Sequence, residues 1–271
     1  MTTVTYEDLA ALEEEFTNHD TATLKYHHNL TLETYARRTA LLSRIPHFWA
    51  LVFEQAPPEI DTYIQPQDSF LFAEHLTSLT LTRENVEREP RDFALEFHFS
   101  KNPFFEDGVL VKRFWYRKAR DGWAGVVSQP VRIRWKEGRD LTRGLTEGVW
   151  MLWERRGRDG WRVCREYEEL KKKVVHWNGG NTSFFTWFGW VSGRRYVTAE
   201  EDEEVRKGGK VDEELEEGDE QEVEVHPAGE EIAMSIAEDV WPHAIKLFTQ
   251  AQEGSEEENG GDDDDSGEDV E

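Results

Sequence analysis

The sequence predicts an α+β chain: one long N-terminal helix, then a body of short helices and an antiparallel sheet. Three observations carry this. Residues 5–45 contain neither Gly nor Pro and repeat apolar residues at spacings of three and four. In residues 93–99, Phe93, Leu95, Phe97 and Phe99 alternate with Ala94, Glu96 and His98, the period of a strand with one buried face. The 11 Trp and 15 Phe give enough burial capacity for a folded core despite a net charge of −25.

Taking the elements in order, Thr5 and Asp8 form a capping-box pair at the start of the first helix. Glu7, Asp8, Glu13, Glu14 and Glu15 crowd its N-terminal turns, Arg37, Arg38 and Arg44 its C-terminal end, and Pro46 stops it. Its seam runs through Leu9, Leu12, Phe16, His19, Thr23, Tyr26 and Leu30. A helix of about 60 Å cannot fold back along its whole length on its own small body. The seam is therefore expected to bury itself against a second chain, with Leu9, Leu12, Phe16, Thr23, Tyr26 and Leu30 as interface residues. Two ordinary helices broken near Asn18–Thr23 are the alternative.

Residues 47–57 and 66–77 read as short helices rich in large apolar side chains. Strands are expected at 78–86, 93–99, 109–118 and 131–136, the last because Val131, Ile133 and Trp135 alternate with Arg132, Arg134 and Lys136. Asn102-Pro103, Asp107-Gly108 and Asp121-Gly122 mark turns. Residues 144–180 resist assignment; Asp159-Gly160 suggests a hairpin there, and Cys164 lies in a strand-like stretch. The aromatic run 182–190, TSFFTWFGW, reads as core, and 231–250 as a final helix kinked at Pro242.

Charge divides the chain. Residues 1–198 carry 28 acidic and 28 basic side chains, residues 199–231 carry 16 against 3, and residues 253–271 carry 11 acids and no base. A balanced body with two polyanionic segments follows: 199–231 read as internal and mobile, 253–271 as a disordered tail. Such a tail is either a solubility device or a reservoir of charge for a basic partner; nucleic acid is disfavoured there by like-charge repulsion. One Cys excludes an internal disulfide framework and a four-Cys zinc site. No apolar run approaches ~18 residues, so no membrane span is expected, and the first residues lack the pattern of a secretory signal. No nucleotide, nucleophile-elbow or zinc-protease motif occurs. His27-His28 diverge on a helix, and Cys164 lacks a placed base, so neither a catalytic nor a metal site is expected, and no cofactor.

The ordered series SRIPHFWALVFEQAP after a long helix, FALEFHFSKNPFFEDGVLVKRF, RIRWKEGRDLTRG, SFFTWF, EDVWPHAIKLF and an acidic tail resembles the nucleosome assembly protein family, in its SET-like branch. The resemblance implies a headphone-shaped homodimer: helix 1–45 as the paired band, residues 46–252 as an α/β "earmuff", and 253–271 as the tail. It implies a nuclear, non-enzymatic histone chaperone that assists nucleosome assembly, with H3-H4 favoured and the other core-histone pair as second client. The runner-up role is regulation of an enzyme, by inhibiting a protein phosphatase or stimulating a histone acetyltransferase. The implied histone-binding residues are Thr186, Glu230, Glu231, Glu238 and Asp239. The tail acids Glu256, Glu257, Glu258, Asp262, Asp263, Asp264 and Asp265 join them. Arg134, Lys136 and Arg139 are implied for weak DNA contact. SET-like members often carry Thr where this chain has Gly189, and residues 144–180 and 191–229 are longer than the pattern expects; 144–180 is either an elaborated earmuff hairpin or a poorly ordered insertion, and no family role transfers to it.

Overall fold

The computed structural model describes residues 4–158, 161–175, 182–209 and 223–259, the last five of these as backbone only. The first helix, α1, runs unbroken over Tyr6–Leu42, so the two-helix alternative is excluded. Its capping box forms as the sequence suggests: the Asp8 N–H donates to Thr5 Oγ1 at 3.2 Å, and the Thr5 N–H donates back to Asp8 Oδ2 at 2.8 Å.

Two stripes divide α1. Thr17, Thr21, Leu24, His28, Thr31, Tyr35, Arg38 and Leu42, again at spacings of three and four, are half-buried or buried against the chain's own body. Leu9, Leu12, Phe16, Thr23, Tyr26 and Leu30 form a second stripe, roughly a third of a turn away around the cylinder, and are exposed. Residues 5–16 are exposed on every side. The helix thus reaches beyond the body that supports it. A 37-residue helix is about 55 Å long.

The inner stripe is anchored by one buried cation. The Arg38 guanidinium lies 4.3 Å from the Trp241 ring and 4.6 Å from that of Tyr35. It donates to the carbonyls of Trp241 (2.7 Å) and Pro242 (3.2 Å). Those carbonyls end a π-helical turn, where the chain needs an external donor.

Helices α2 (Phe48–Glu54), α3 (Pro58–Asp61) and α4 (Pro66–His75) follow. They lead into an antiparallel sheet of β1 (Leu76–Thr82), β2 (Phe93–Phe99), β3 (Val109–Lys118) and β4 (Ala124–Ser128), in that spatial order. Phe97 sits opposite Leu110, Leu95 opposite Lys112, and Phe93 opposite Phe114. These alternating residues form the buried face.

The fourth strand differs from expectation. Residues 131–136 are irregular: an isolated bridge between Phe105 and Trp135 and scattered backbone hydrogen bonds, among them the Val131 N–H to the Phe188 carbonyl at 2.8 Å, tie them to the body without forming a strand of the sheet. Ala124–Ser128 pairs with β3 instead. Gly125 and the small residues around it hide the period in β4, whereas the VRIRWK alternation only places Ile133 in the core.

Residues 144–175 are helical where a hairpin was expected: α5 (Leu145–Arg155), a 3₁₀ turn (Trp161–Val163) and α6 (Arg165–Val175). Asp159-Gly160 lies outside the described residues. Leu145, Val149 and Leu152 point one face of α5 at Leu170 of α6, forming a second small core. Cys164 is half-exposed at the entrance to α6, not on a strand.

The chain closes with α7 (Ala199–Arg206), α8 (Gly229–Ser235), the π-helical turn Ile236–Val240 and α9 (Ala244–Asn259). The break between the π turn and α9 falls at Pro242, as the sequence predicts. No described helix is long and apolar enough to cross a membrane.

Candidate functional site

The aromatic run Phe184–Gly189 folds as a 3₁₀ helix and is buried throughout. Asp68 positions its start. The buried carboxylate accepts from Ser183 Oγ (2.6 Å) and the Phe184 N–H (2.7 Å) while capping α4 through the Gln65 N–H (3.0 Å). Burial pushes the Asp68 carboxyl up, and these hydrogen bonds pull it back.

Lys112 positions the end of the run. It is fully buried on the apolar face of β3 and donates to the carbonyls of Trp190 (2.8 Å), Phe188 (3.2 Å) and Gln129 (3.3 Å). Burial lowers its pKa well below the ordinary value. Gly189 has a packing reason: a Cβ there would stand 3.2 Å from Val225 Cγ2.

This pedestal carries α8. Trp187 Nε1 donates to the Gly229 carbonyl at 2.8 Å, and a Cβ on Gly229 would stand 2.0 Å from the Trp190 ring, so only glycine lets α8 start here. Ile232, Ala233, Ile236, Ala237 and Val240 are buried behind α8 and the π turn. Glu230, Glu231, Glu238 and Asp239, two pairs seven to nine residues apart, are exposed on the outer face. Burial of its carboxyl pushes Glu230 up in pKa, offset in part by a backbone hydrogen bond at Val126. Glu238 acts on Arg83 across a cavity of about 660 Å³ between α1, β1 and the π turn, with His28, Tyr35 and Trp241 among its walls.

Thr186 is corrected by this arrangement. It has no exposed surface and cannot touch a partner protein. The sequence motif marks the support, and the accessible surface belongs to the helix above it.

The internal acidic segment also divides. Residues 210–222 lie outside the described set; in α7, Glu201, Asp202, Glu203 and Glu204 are each engaged by a cation of the chain. Asp202 accepts from the Lys118 N–H (2.8 Å) and from Arg206 Nε (2.9 Å). Glu201 accepts from the Arg120 N–H (3.0 Å) and pairs with Arg195. Glu89 pairs with Arg91 and with Arg206, which holds its carboxyl below the usual range despite burial. By contrast, among the described residues no ion pair engages Glu230, Glu231 or Asp239 within 4 Å. Acid count alone could not separate these two helices; tertiary pairing does.

The tail acids Glu256, Glu257 and Glu258 fall on the backbone of α9, which continues past the expected end of the body at 252. Asp262, Asp263, Asp264 and Asp265 lie outside the described residues. Of the basic trio, Arg134 is bound to Asp107 through both Nε and its backbone N–H, each at 2.7 Å. Lys136 lies 3.7 Å from Glu106 and donates to the Asn102 carbonyl, while Arg139 is exposed. Two of these three cations are therefore already neutralised. Among the described residues no group of three His, Cys, Asp or Glu could hold a metal ion.

Comparison with known proteins places this architecture. A family model described as nucleosome assembly protein (NAP) matches residues 7–251. A putative nucleosome assembly protein of Schizosaccharomyces pombe is 30% identical over 264 residues, covering 93% of this chain and 83% of the relative. Protein SET of Drosophila melanogaster is 24% identical over 245 residues, covering 89% and 69%. Among solved structures, a mutant of Ccp1 superposes with a TM-score of 0.58 at 26% identity, over 93% of this chain and 97% of that one. Vps75 superposes with a TM-score of 0.58 at 22% identity, over 91% and 98%, a likeness of fold. With its long exposed helix, its sheet and its acidic α8 face, this chain belongs to the nucleosome assembly protein family.

Proposed function

We propose that the chain is a histone chaperone working as a homodimer, with H3-H4 as the favoured client and the other core-histone pair as the second. One observation carries the reading: Glu230, Glu231, Glu238 and Asp239 form an exposed carboxylate face, while Glu201, Asp202 and Glu204 of α7 are paired with the chain's own arginines. A basic client gains from unsatisfied carboxylates and gains little from those already paired. Family membership supplies the client class; the matched relatives include nucleosome assembly proteins and Protein SET.

Dimerisation follows from the outer stripe of α1. Leu9, Leu12, Phe16, Tyr26 and Leu30 are all about half-exposed or more. A second copy laid antiparallel along this stripe would bury it and place two acidic α8 faces in one molecule. The acids among residues 260–271 add negative charge that speeds capture at low salt and is screened over ~8 Å at physiological ionic strength. The contacts remain electrostatic and exchangeable, so a bound histone can be released to DNA, which offers a denser row of anions.

The test is titration of each histone pair into the full-length chain at near-physiological salt, beside a variant with Glu230→Gln, Glu231→Gln, Glu238→Gln and Asp239→Asn. The reading expects weaker binding by the variant with its fold intact. Equal affinity would remove this face from the account. Regulation of a phosphatase or an acetyltransferase is a separate proposal, supported only if adding the chain changes turnover of that enzyme.

A further inference from the structure

The second small core ends in a surface feature unrelated to the α8 face. The Arg156 guanidinium carbon lies 4.7 Å from the Trp153 ring, 4.8 Å from that of Trp161 and 5.0 Å from that of Tyr196. Trp153 and Tyr196 stand perpendicular, with centroids 4.8 Å apart, and so form two walls of a corner. Trp161, from the following 3₁₀ turn, supplies the third. All three rings are half-exposed. Glu200 is close enough to Tyr196 for its charge to act on the phenol, placing an acid beside the opening.

Three ring faces converging on one point make a box for a cation. Rings present their negative faces at little desolvation cost only when the cation is weakly hydrated. Guanidinium and methylated ammonium meet that condition; the compact ammonium of an unmodified lysine does not. Arg156 is also placed to leave. It is the C-cap of α5, outside helical geometry at ψ 136°, and the next residue, Gly157, has φ +80° with open space around it. Rotation about the side-chain torsions of Arg156 itself would carry the guanidinium away without disturbing α5.

We infer that Trp153, Trp161 and Tyr196 form a cation-binding box for an arginine or methylated-lysine side chain of a basic client, with Arg156 as its intramolecular occupant. A ligand side chain enters as Arg156 swings out, and no covalent step is involved. The biological ligand rests on the reading of the chain as a histone chaperone; the box itself does not.

The experiment titrates tetramethylammonium chloride, Nα-acetyl-arginine amide and Nα-acetyl-lysine amide into the full-length protein, following the indole N–H signals of Trp153 and Trp161 by NMR. Arg156→Gln, neutral and of similar length, removes the cation shared by the three rings, while Arg162 stays 4.2 Å from the Trp161 ring. The expected result is saturable binding of tetramethylammonium and the arginine amide by Arg156→Gln, about tenfold or more tighter than by the wild type. Binding of the lysine amide should be absent, and adding Trp153→Ala should abolish the response. The inference is overturned if Arg156→Gln binds no more tightly than wild type, or if Trp153→Ala leaves binding unchanged. Should Arg156→Gln not fold, the wild-type titration decides: saturating shifts at both indoles support the box, and shifts that only drift linearly with salt overturn it. Because the probes are small cations, a box that binds them beside a chain that ignores histones would refute the chaperone reading and leave the box standing.

Discussion

His226 gives a prediction whose size can be worked from the structure. The ring is buried, packs 4.5 Å from the Tyr63 ring, and neither nitrogen has a hydrogen-bond partner among the described residues. Burial, with the charge of Lys112 second, lowers its pKa from 6.5 to about 3. Between those values the unfolded chain takes up a proton that the native chain refuses. Stability is therefore unaffected above about pH 6.5, falls as pH drops through the window, and levels off below about 3. Moving from pH 7 to pH 4.5 should cost about 2.5 kcal/mol through this residue alone.

His226→Leu removes that dependence and both unpaired nitrogens. At pH 7 the variant should lie within about 1 kcal/mol of wild type, since relief of the unpaired atoms offsets the lost ring contact. At pH 4.5 it should be the more stable protein by about 2.5 kcal/mol beyond the difference at pH 7. Urea unfolding followed by tryptophan fluorescence, at one fixed protein concentration, measures this. Parallel loss of stability by both proteins between pH 7 and 4.5 would refute the assignment of His226 as a buried neutral ring. Other acid-sensitive groups, Asp68, Glu224 and Glu230 among them, are common to both proteins and drop out of the difference.

Three further outcomes follow from the same geometry. Asp202→Ala should destabilise the fold by about 2 kcal/mol, because it strands the Lys118 N–H and removes one of the two carboxylates that hold the Arg206 guanidinium, whereas Glu203→Ala, in an exposed pair with Lys207, should cost little; equal losses in thermal unfolding would contradict the picture of α7 as a clamped strap. Leu9→Glu, Leu12→Glu and Phe16→Glu together should give a monomer in sedimentation with the body still folded, and a persisting dimer would show that the outer stripe of α1 is misassigned. Ending the chain after Asn259 should weaken histone binding chiefly at low salt and leave the dimer intact; a salt-independent loss would mean that residues 260–271 make specific contacts.

The features legible in the sequence were those with local causes. α1 was readable because residues 5–45 lack breakers and Thr5 and Asp8 cap each other within one turn. β2 was readable from its alternation, which the sheet register preserves. The inner stripe of α1 was not, because half of it is Thr, His and Arg, whose burial depends on what the body brings to meet them. β4 was hidden by Gly125 and imitated by 131–136. In α5 the signal existed: Leu145, Val149 and Leu152 follow a helical spacing, but the surrounding arginines and tryptophans obscured it.

The candidate site was half legible. Glu230, Glu231, Glu238 and Asp239 were legible as acids bracketing the apolar run that α8 and the π turn bury. That α7 is equally acidic yet internally consumed follows only from Arg195 and Arg206 folding onto it. Thr186 shows the opposite error: the aromatic run reads as core, yet the resemblance implied a binding residue within it, and Thr186 is buried with the rest of the run.

The most direct test of the account compares two variants that lose the same charge. One carries Glu230→Gln, Glu231→Gln, Glu238→Gln and Asp239→Asn on the α8 face. The other carries Glu14→Gln, Glu54→Gln, Glu137→Gln and Glu168→Gln, four exposed acids scattered over the surface. Titrated with H3-H4 at near-physiological salt, the first should bind clearly more weakly than the second, which should stay close to wild type. If the two bind alike, histone capture depends on bulk charge, and the α8 face is not the site.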